Sequence, residues 1–172
     1  VSIYVQDALK YSIHKKRIQI ISSDDFSNSK LFRNKTYINN FCKKYKNNKI
    51  SIIEIHNRPE YVKYIKKYFP ETKIILTFHN DPLTLRGSEK FQERENLLKD
   101  CSKIIFISRW IQNRFFNSFI NSNYLNTEII YHGVRKLKKT SKNKKKNILF
   151  VGKLKQAKGY DIFCEAAEKF KK

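Results

Sequence analysis

Short apolar runs rich in β-branched residues recur along the first 134 residues of the chain. Five of them have the length of a strand: Arg17–Ile21, Ile50–Ile55, Lys73–Phe78, Lys103–Ile107 and Glu128–Tyr131. A continuous apolar run, unlike strict alternation, is typical of a strand that is buried on both faces of a parallel sheet. The runs therefore predict a five-stranded parallel sheet in this part of the chain.

Segments with apolar residues three and four positions apart separate these runs and predict amphipathic helices. The predicted helices cover Val1 to about His14, Tyr37–Tyr45, Glu60–Tyr68, Ser88–Lys99 and Arg109 to about Phe119. Ser88 and Ser108 are candidate N-caps, because a serine oxygen can accept a hydrogen bond from the first helical turn. The alternation of strands and helices predicts an α/β fold with a Rossmann-like, doubly wound parallel sheet.

The alternation stops at Arg135–Lys146, where eight of the twelve residues are basic. Like charges at this density favour a solvated linker, and a localisation or phosphate-binding segment is the alternative. Beyond it, the pattern predicts a strand over Asn147–Val151, a loop over Gly152–Gly159 and a helix over Tyr160–Phe170. One strand and one helix cannot bury their own apolar surface. We therefore predict an N-terminal domain over residues 1–134, a linker over 135–146 and the start of a second domain over 147–172.

The composition adds a strong positive charge. The 172 residues include 37 Lys and Arg against 15 Asp and Glu, which gives a formal net charge of +22. Such a charge attracts nucleic acid or an anionic membrane. However, the chain lacks the basic helix or aromatic-studded basic strand that typically binds nucleic acid, so nucleic acid is not the expected partner. The sequence also lacks metal-ligand and nucleophile motifs, and its three scattered cysteines are typical neither of a disulfide framework nor of a zinc site.

Polar residues follow the predicted strands where each strand ends. They are His56-Asn57-Arg58, His79-Asn80-Asp81, Ser108-Arg109 and His132-Gly133. In open α/β sheets, ligands bind beyond the carboxyl ends of the strands. Three of the four histidines lie at such ends, which predicts a site there.

The loop Gly152–Gly159 contains two glycines and three lysines between a predicted strand and a predicted helix. Glycine lets the backbone approach a ligand, and a helix N-terminus favours an anion, so the loop is a candidate phosphate site. It lacks the Gly-Lys-Ser/Thr ending of a Walker A loop. A lysine-rich surface turn is the alternative interpretation.

Several segments, in order along the chain, resemble motifs of family 4 glycosyltransferases, the retaining enzymes of the GT-B fold. They are Val1–Leu9 in the first helix, Ile55–Pro59, Thr77–Asp81 and Ile105–Arg109 at strand ends, Tyr131–Val134, and Phe150–Gly159. The last segment is similar to the family's Phe-Val-Gly-Arg-Leu signature, which Lys-Gly follows after three residues.

The resemblance implies a two-domain enzyme that transfers a sugar from a nucleotide-sugar to a glycan or lipid-linked acceptor with retention. It implies no cofactor and no essential metal, since the nucleotide-sugar is a substrate. It gives His79 the role of the catalytic histidine that faces the donor sugar. Lys158 matches the lysine that binds the donor diphosphate, whereas Lys153, after Gly152, replaces an arginine and lacks its bidentate fork.

The acceptor side is expected near the end of the second predicted strand, and His56, Asn57 and Arg58 are its candidate residues. The alternative for these residues is a capped loop, because polar residues at strand ends commonly cap turns. By resemblance, the enzyme would act in cell-surface polysaccharide or lipopolysaccharide synthesis. It would be cytoplasmic, with peripheral contact at the inner face of an anionic membrane. A non-catalytic basic α/β module that binds nucleic acid or membrane is the competing hypothesis.

The sequence also departs from the family. The family's first strand and Gly-Gly loop would precede Val1, and most of its donor-binding domain, with a Glu-x7-Glu motif, would follow Lys172. In a doubly wound sheet the first strand is central, so we expect a gap in the sheet and exposed apolar edges. The chain is thus predicted to be an internal fragment that is poorly stable and inactive by itself.

Overall fold

The computed structural model describes residues 2–22, 33–121, 124–133 and 148–170. The chain divides into two compact units, Val1–Gly133 and Val134–Lys172. The predicted linker, 135–146, lies outside the described residues, as does Asn147. The domain functions assigned from the sequence stay predictions.

Four parallel strands form the sheet of the first unit. They are β1 (Ile52–His56), β2 (Lys73–Phe78), β3 (Lys103–Phe106) and β4 (Thr127–Ile129), and they pair in the order β1-β2-β3-β4. The register places Ile53 opposite Ile74, Leu76 opposite Ile104, and Ile105 opposite Glu128. The predicted α/β class with a parallel sheet is therefore confirmed. The expected gap is not found, because the described strands pair without interruption.

Six helices accompany the strands in the described parts of the chain. They are α1 (Ser2–Tyr11), α2 (Arg33–Tyr45), α3 (Val62–Tyr68), α4 (Phe91–Asp100), α5 (Arg109–Phe115) and α6 (Tyr160–Lys169). Short 3-10 turns precede α3, as Pro59–Tyr61, and α6, as Gln156–Lys158. No helix among the described residues has the length and apolar character needed to cross a membrane.

The core of the first unit surrounds the two central strands. Leu76 and Thr77 are consecutive on β2 and therefore point to opposite faces, yet they are only 0% and 3% exposed. Both faces of β2 are thus covered, as a parallel sheet requires. The fully buried rings of Phe78 and Phe106 pack against Phe115 of α5, with ring centroids 5.5 and 5.2 Å away.

Two of the predicted strands are not strands where the structure describes them, so both predictions are wrong. Arg17 ends a 3-10 turn, and residues 18–22 have no regular structure. This segment instead lies along α2, where the Tyr37 hydroxyl donates to the Ile21 carbonyl at 3.3 Å. Residues 148–151 also have no strand structure. In both cases the run is apolar, but no described strand lies beside it to complete a ladder.

The two serine caps have different outcomes. Ser108 is confirmed, since its oxygen accepts a hydrogen bond from the Ile111 N–H at 3.3 Å. The predicted N-cap role of Ser88 is wrong, because α4 begins at Phe91 and the Ser88 hydroxyl donates to the Pro82 carbonyl at 2.6 Å. Ser88 therefore closes the preceding loop. At the start of α4, the Glu93 carboxylate instead accepts a hydrogen bond from the Lys90 N–H.

Candidate functional site

The carboxyl ends of β1 and β2 and the segment after β4 bring three histidine rings together. His56 ends β1, His79 follows β2, and His132 lies three residues after β4. His56 Nδ1 is 2.9 Å from His79 Nε2, and His79 Nδ1 is 3.1 Å from His132 Nε2. We call these three residues the histidine chain. The strand-end pattern thus predicted a set of residues that do meet in the structure.

His56 and His79 are less basic than free imidazole. Burial, together with smaller effects of the neighbouring His56 and His132, lowers the pKa of His79 to about 4. Burial also lowers the pKa of His56, although the nearby Glu54 carboxylate opposes that change. Both rings are therefore neutral at neutral pH, and each has one N–H donor and one acceptor nitrogen.

The Glu54 carboxylate, which the sequence analysis missed, lies at one end of the histidine chain. Glu54 Oε1 lies 3.3 Å from His56 Nε2 and accepts a hydrogen bond from the Thr77 hydroxyl at 3.0 Å. The available signal was a single acidic residue inside an otherwise apolar strand, Ile52–Ile55. Its two-residue spacing from His56 puts both side chains on one face of β1.

Asn57 fixes the backbone that carries His79. Its side-chain oxygen accepts hydrogen bonds from the N–H groups of His79, at 2.7 Å, and Asn80, at 3.2 Å. Its own backbone has a φ of 54°, in the left-handed region that asparagine tolerates better than most residues. Asn57 is buried at 7% exposure. Its side-chain oxygen therefore acts as a loop cap inside the candidate site.

A cavity of about 200 Å³ lies beside this cap. Its walls come from α2, from the segment between β1 and α3, from α3 itself and from the segment after β2. The lining residues are Ile38, Asn57, Arg58, Glu60, Tyr61, Lys63, Tyr64, Thr84, Leu85 and Arg86. Burial raises the pKa of Glu60, while Arg58, Arg86 and Lys63 oppose that rise. Three cations around one carboxyl make the cavity suited to a polar or anionic group.

Asp81, also at a strand end, has a structural role in the described geometry. Its Oδ2 accepts from Arg114 Nε at 3.0 Å, and its Oδ1 accepts from the Leu83 N–H at 3.0 Å. Partial burial would raise the pKa of Asp81, but these hydrogen bonds and the Arg114 charge lower it. The carboxylate is therefore committed to holding the loop after β2 against α5.

The glycine and lysine loop belongs to the second unit. Gly152, Lys153 and Lys158 are all exposed, and Lys158 ends a 3-10 turn that leads into α6. Asp161 lies in the first turn of α6, so a carboxylate is already present where the helix dipole favours an anion. Any anion bound at this loop would therefore depend mainly on the lysines.

Two of the three cysteines, Cys42 and Cys101, are buried and unsuited to nucleophilic chemistry. Burial raises the pKa of Cys42 to about 11 and that of Cys101 to about 12, so both are protonated at neutral pH. Within the described residues, no group of three or more His, Cys, Asp or Glu side chains has an arrangement that could hold a metal ion.

The fold and the site define an α/β protein with a polar cluster at the carboxyl edge of a parallel sheet. The chain is similar to a protein of Bacillus subtilis (strain 168) described as "Putative glycosyltransferase YtcC". The two are 29% identical over 126 residues, which cover 63% of this chain and 30% of the relative. The chain thus spans less than a third of that relative's length. No protein-family model and no solved structure matches the chain.

Proposed function

We propose that this chain is part of a retaining, GT-B, family 4 glycosyltransferase that transfers a sugar from a nucleotide-sugar to a glycan or lipid-linked acceptor. The observation that carries the proposal is the similarity to a relative named as a glycosyltransferase. The histidine chain at the carboxyl edge of the sheet supports it, because this edge is where α/β proteins bind ligands. The proposed setting is cell-surface polysaccharide synthesis on the cytoplasmic side of the membrane.

In this proposal His79 is the catalytic residue and contacts the donor sugar. His56, Asn57 and Arg58 belong to the acceptor side, where Asn57 and Arg58 line the cavity. The cationic walls of that cavity suit an acceptor that carries a phosphate or a carboxylate. Asn57 would act mainly through the loop that it caps, because its side-chain oxygen accepts two backbone hydrogen bonds.

Lys153, Lys158 and Gly152 would bind the donor diphosphate. A diphosphate leaving group gains negative charge as the sugar departs, so cations held beside it lower the barrier. The exposed lysines are available for this role. Because Lys153 replaces an arginine of the family pattern, Lys158 is expected to contribute more to binding.

Calorimetric titration of the chain with UDP, GDP and ADP, and with the corresponding monophosphates, tests the proposal. We expect one diphosphate to bind better than its monophosphate. Lys158→Ala should weaken that binding roughly tenfold or more, since a charge-assisted hydrogen bond contributes about 1.5–3 kcal/mol. Lys155→Ala is the matched control, because Lys155 is an exposed lysine of the same loop. Equal losses in both variants would contradict the assignment of Lys158 to the donor diphosphate.

The competing function is a non-catalytic basic module, which the net charge of +22 favours. Such a module would bind duplex DNA or anionic vesicles with an affinity that falls steeply as salt rises. Measuring binding at several salt concentrations separates the two functions. Tight, salt-sensitive binding to DNA or vesicles without nucleotide binding would favour the module.

A further inference from the structure

The order of hydrogen bonds along the histidine chain is fixed from one end. The Glu54 carboxylate can only accept, and its Oε1 lies 3.3 Å from His56 Nε2. An unprotonated His56 Nε2 would set two acceptors against each other at this distance. The negative charge of the carboxylate therefore favours the His56 tautomer with its proton on Nε2, where the N–H faces Glu54.

The same argument passes to the next two rings. A neutral His56 protonated at Nε2 has an acceptor at Nδ1, so His79 must donate from Nε2 across the 2.9 Å contact. A neutral His79 protonated at Nε2 in turn has an acceptor at Nδ1, and His132 donates to it from Nε2 at 3.1 Å. The hydrogen bonds thus run in one direction, from His132 through His79 to His56, and the remaining N–H of His56 faces Glu54.

The two histidines that contact His79 differ in exposure, and therefore in how readily a ligand could replace them. The His56 side chain is 16% exposed and lies between Glu54 and His79. His132, by contrast, is an exposed residue beyond the end of β4. A ligand that reaches His79 would therefore take the place of His132 and meet the acceptor nitrogen Nδ1.

We propose that Glu54 and His56 are positioning residues that hold His79 as a hydrogen-bond acceptor at Nδ1, so that the group bound there is a hydroxyl donor and not a phosphate or carboxylate oxygen. Two unprotonated oxygens or nitrogens repel each other at hydrogen-bond distance, whereas a hydroxyl can donate. That this hydroxyl belongs to a sugar rests on the proposed function. The protonation pattern of the histidine chain does not depend on the proposed function.

Long-range proton–nitrogen correlation spectra of the imidazole rings in the full chain test the pattern directly. His79 should be protonated at Nε2 and unprotonated at Nδ1 at neutral pH. The histidine signals can be assigned with single His→Gln variants. A His79 that is protonated at Nδ1, or an even mixture of both forms, in the unaltered chain overturns the proposal without any need for a variant.

A matched pair of variants tests the role of Glu54. Glu54→Gln keeps an oxygen acceptor and should retain the pattern, whereas Glu54→Leu removes it and should give roughly equal populations of the two His79 tautomers. The Glu54 side chain is 47% exposed, so both changes are compatible with folding. An unchanged His79 tautomer in Glu54→Leu would show that Glu54 does not set it.

The ligand class is tested in His132→Ala, which removes the His132 ring from Nδ1 of His79. Titration with methyl glucoside should shift the Nδ1 resonance and leave that nitrogen unprotonated, and acetate, which has no proton to donate at neutral pH, should not. A response to acetate at Nδ1, or to neither probe, overturns the ligand assignment. Failure of nucleotide binding at the lysine loop would leave the tautomers unchanged, so it is distinguishable from failure of this inference.

Discussion

Asn57 offers the sharpest test of how the site is built, because this residue makes two separable contributions to the free energy of unfolding. Its oxygen accepts from the N–H groups of His79 and Asn80. Net contributions of about 0.5–1.5 kcal/mol per hydrogen bond give about 1–3 kcal/mol for the pair. The φ of 54° adds a cost of about 1 kcal/mol for alanine relative to glycine.

Three variants separate these contributions. Asn57→Gly should lower the free energy of unfolding by about 1–3 kcal/mol, through the lost hydrogen bonds. Asn57→Ala should lower it by about 2–4 kcal/mol, because the backbone strain is added. Asn57→Asp keeps an acceptor oxygen and tolerates this φ, so it should lose least.

Urea unfolding followed by the fluorescence of Trp110 measures these differences. Trp110 is the single tryptophan and lies on α5, in the same unit as Asn57. In the two variants without an acceptor, the His79 amide should also exchange its hydrogen faster than in the unaltered chain. Equal stability of the alanine and glycine variants would refute the strain argument, and unaltered exchange would refute the role of the cap.

Three further changes have defined outcomes. Gly87→Ala should destabilise the chain by about 2 kcal/mol in the same urea assay, because φ is 90° and a Cβ would lie 2.6 Å from a backbone nitrogen of the turn before α3. Gly133→Ala is the control, since no atom of the described residues lies within 4 Å of its added Cβ, and the change should stay within about 0.5 kcal/mol. Burial lowers the pKa of His79, so the folded state resists protonation and the free energy of unfolding should fall from about pH 6.5 towards about pH 4, by at most about 1.4 kcal/mol per pH unit. His79→Asn should reduce this loss, and the part that remains is expected from His56, because burial lowers its pKa as well. Despite its partial burial, Asp81 has a lowered pKa, so its ion pair with α5 should stabilise the chain above about pH 3.8. This stabilisation should be lost on further acidification. Asp81→Asn should abolish that loss in the same urea series.

The fold was predictable where the apolar pattern and tertiary structure agree. The run Lys73–Phe78 became β2 with the predicted ends, because the strand is covered on both faces and paired on both edges. The run Arg17–Ile21 is also rich in isoleucine, but Ile18 and Ile20 are 47% and 40% exposed. An apolar run has strand propensity, but a strand also needs a neighbour, and a local pattern carries no information about neighbours.

The candidate site was predictable only at the level of position. A parallel sheet brings the residues after each strand to one edge, and this argument put His56, His79 and His132 together. It could not give the order of contacts, because that order depends on the sheet register and on side-chain geometry. The role of Glu54 was not predictable for a related reason, since one acidic residue in an apolar run does not show that its carboxylate will contact His56 and Thr77.

The order of the sheet has a consequence for how the first unit folds. Each strand pairs with the strand that precedes it, and the paired residues lie 21, 28 and 23 positions apart in sequence for Ile53–Ile74, Leu76–Ile104 and Ile105–Glu128. The entropy of closing these loops differs by only about 0.3 kcal/mol. Loop length therefore favours no pairing, and we expect the folding nucleus to form at β2 and β3, which carry fully buried apolar side chains. His56 and His79 become neighbours once the first two strands pair, and His132 joins them only when the last strand docks.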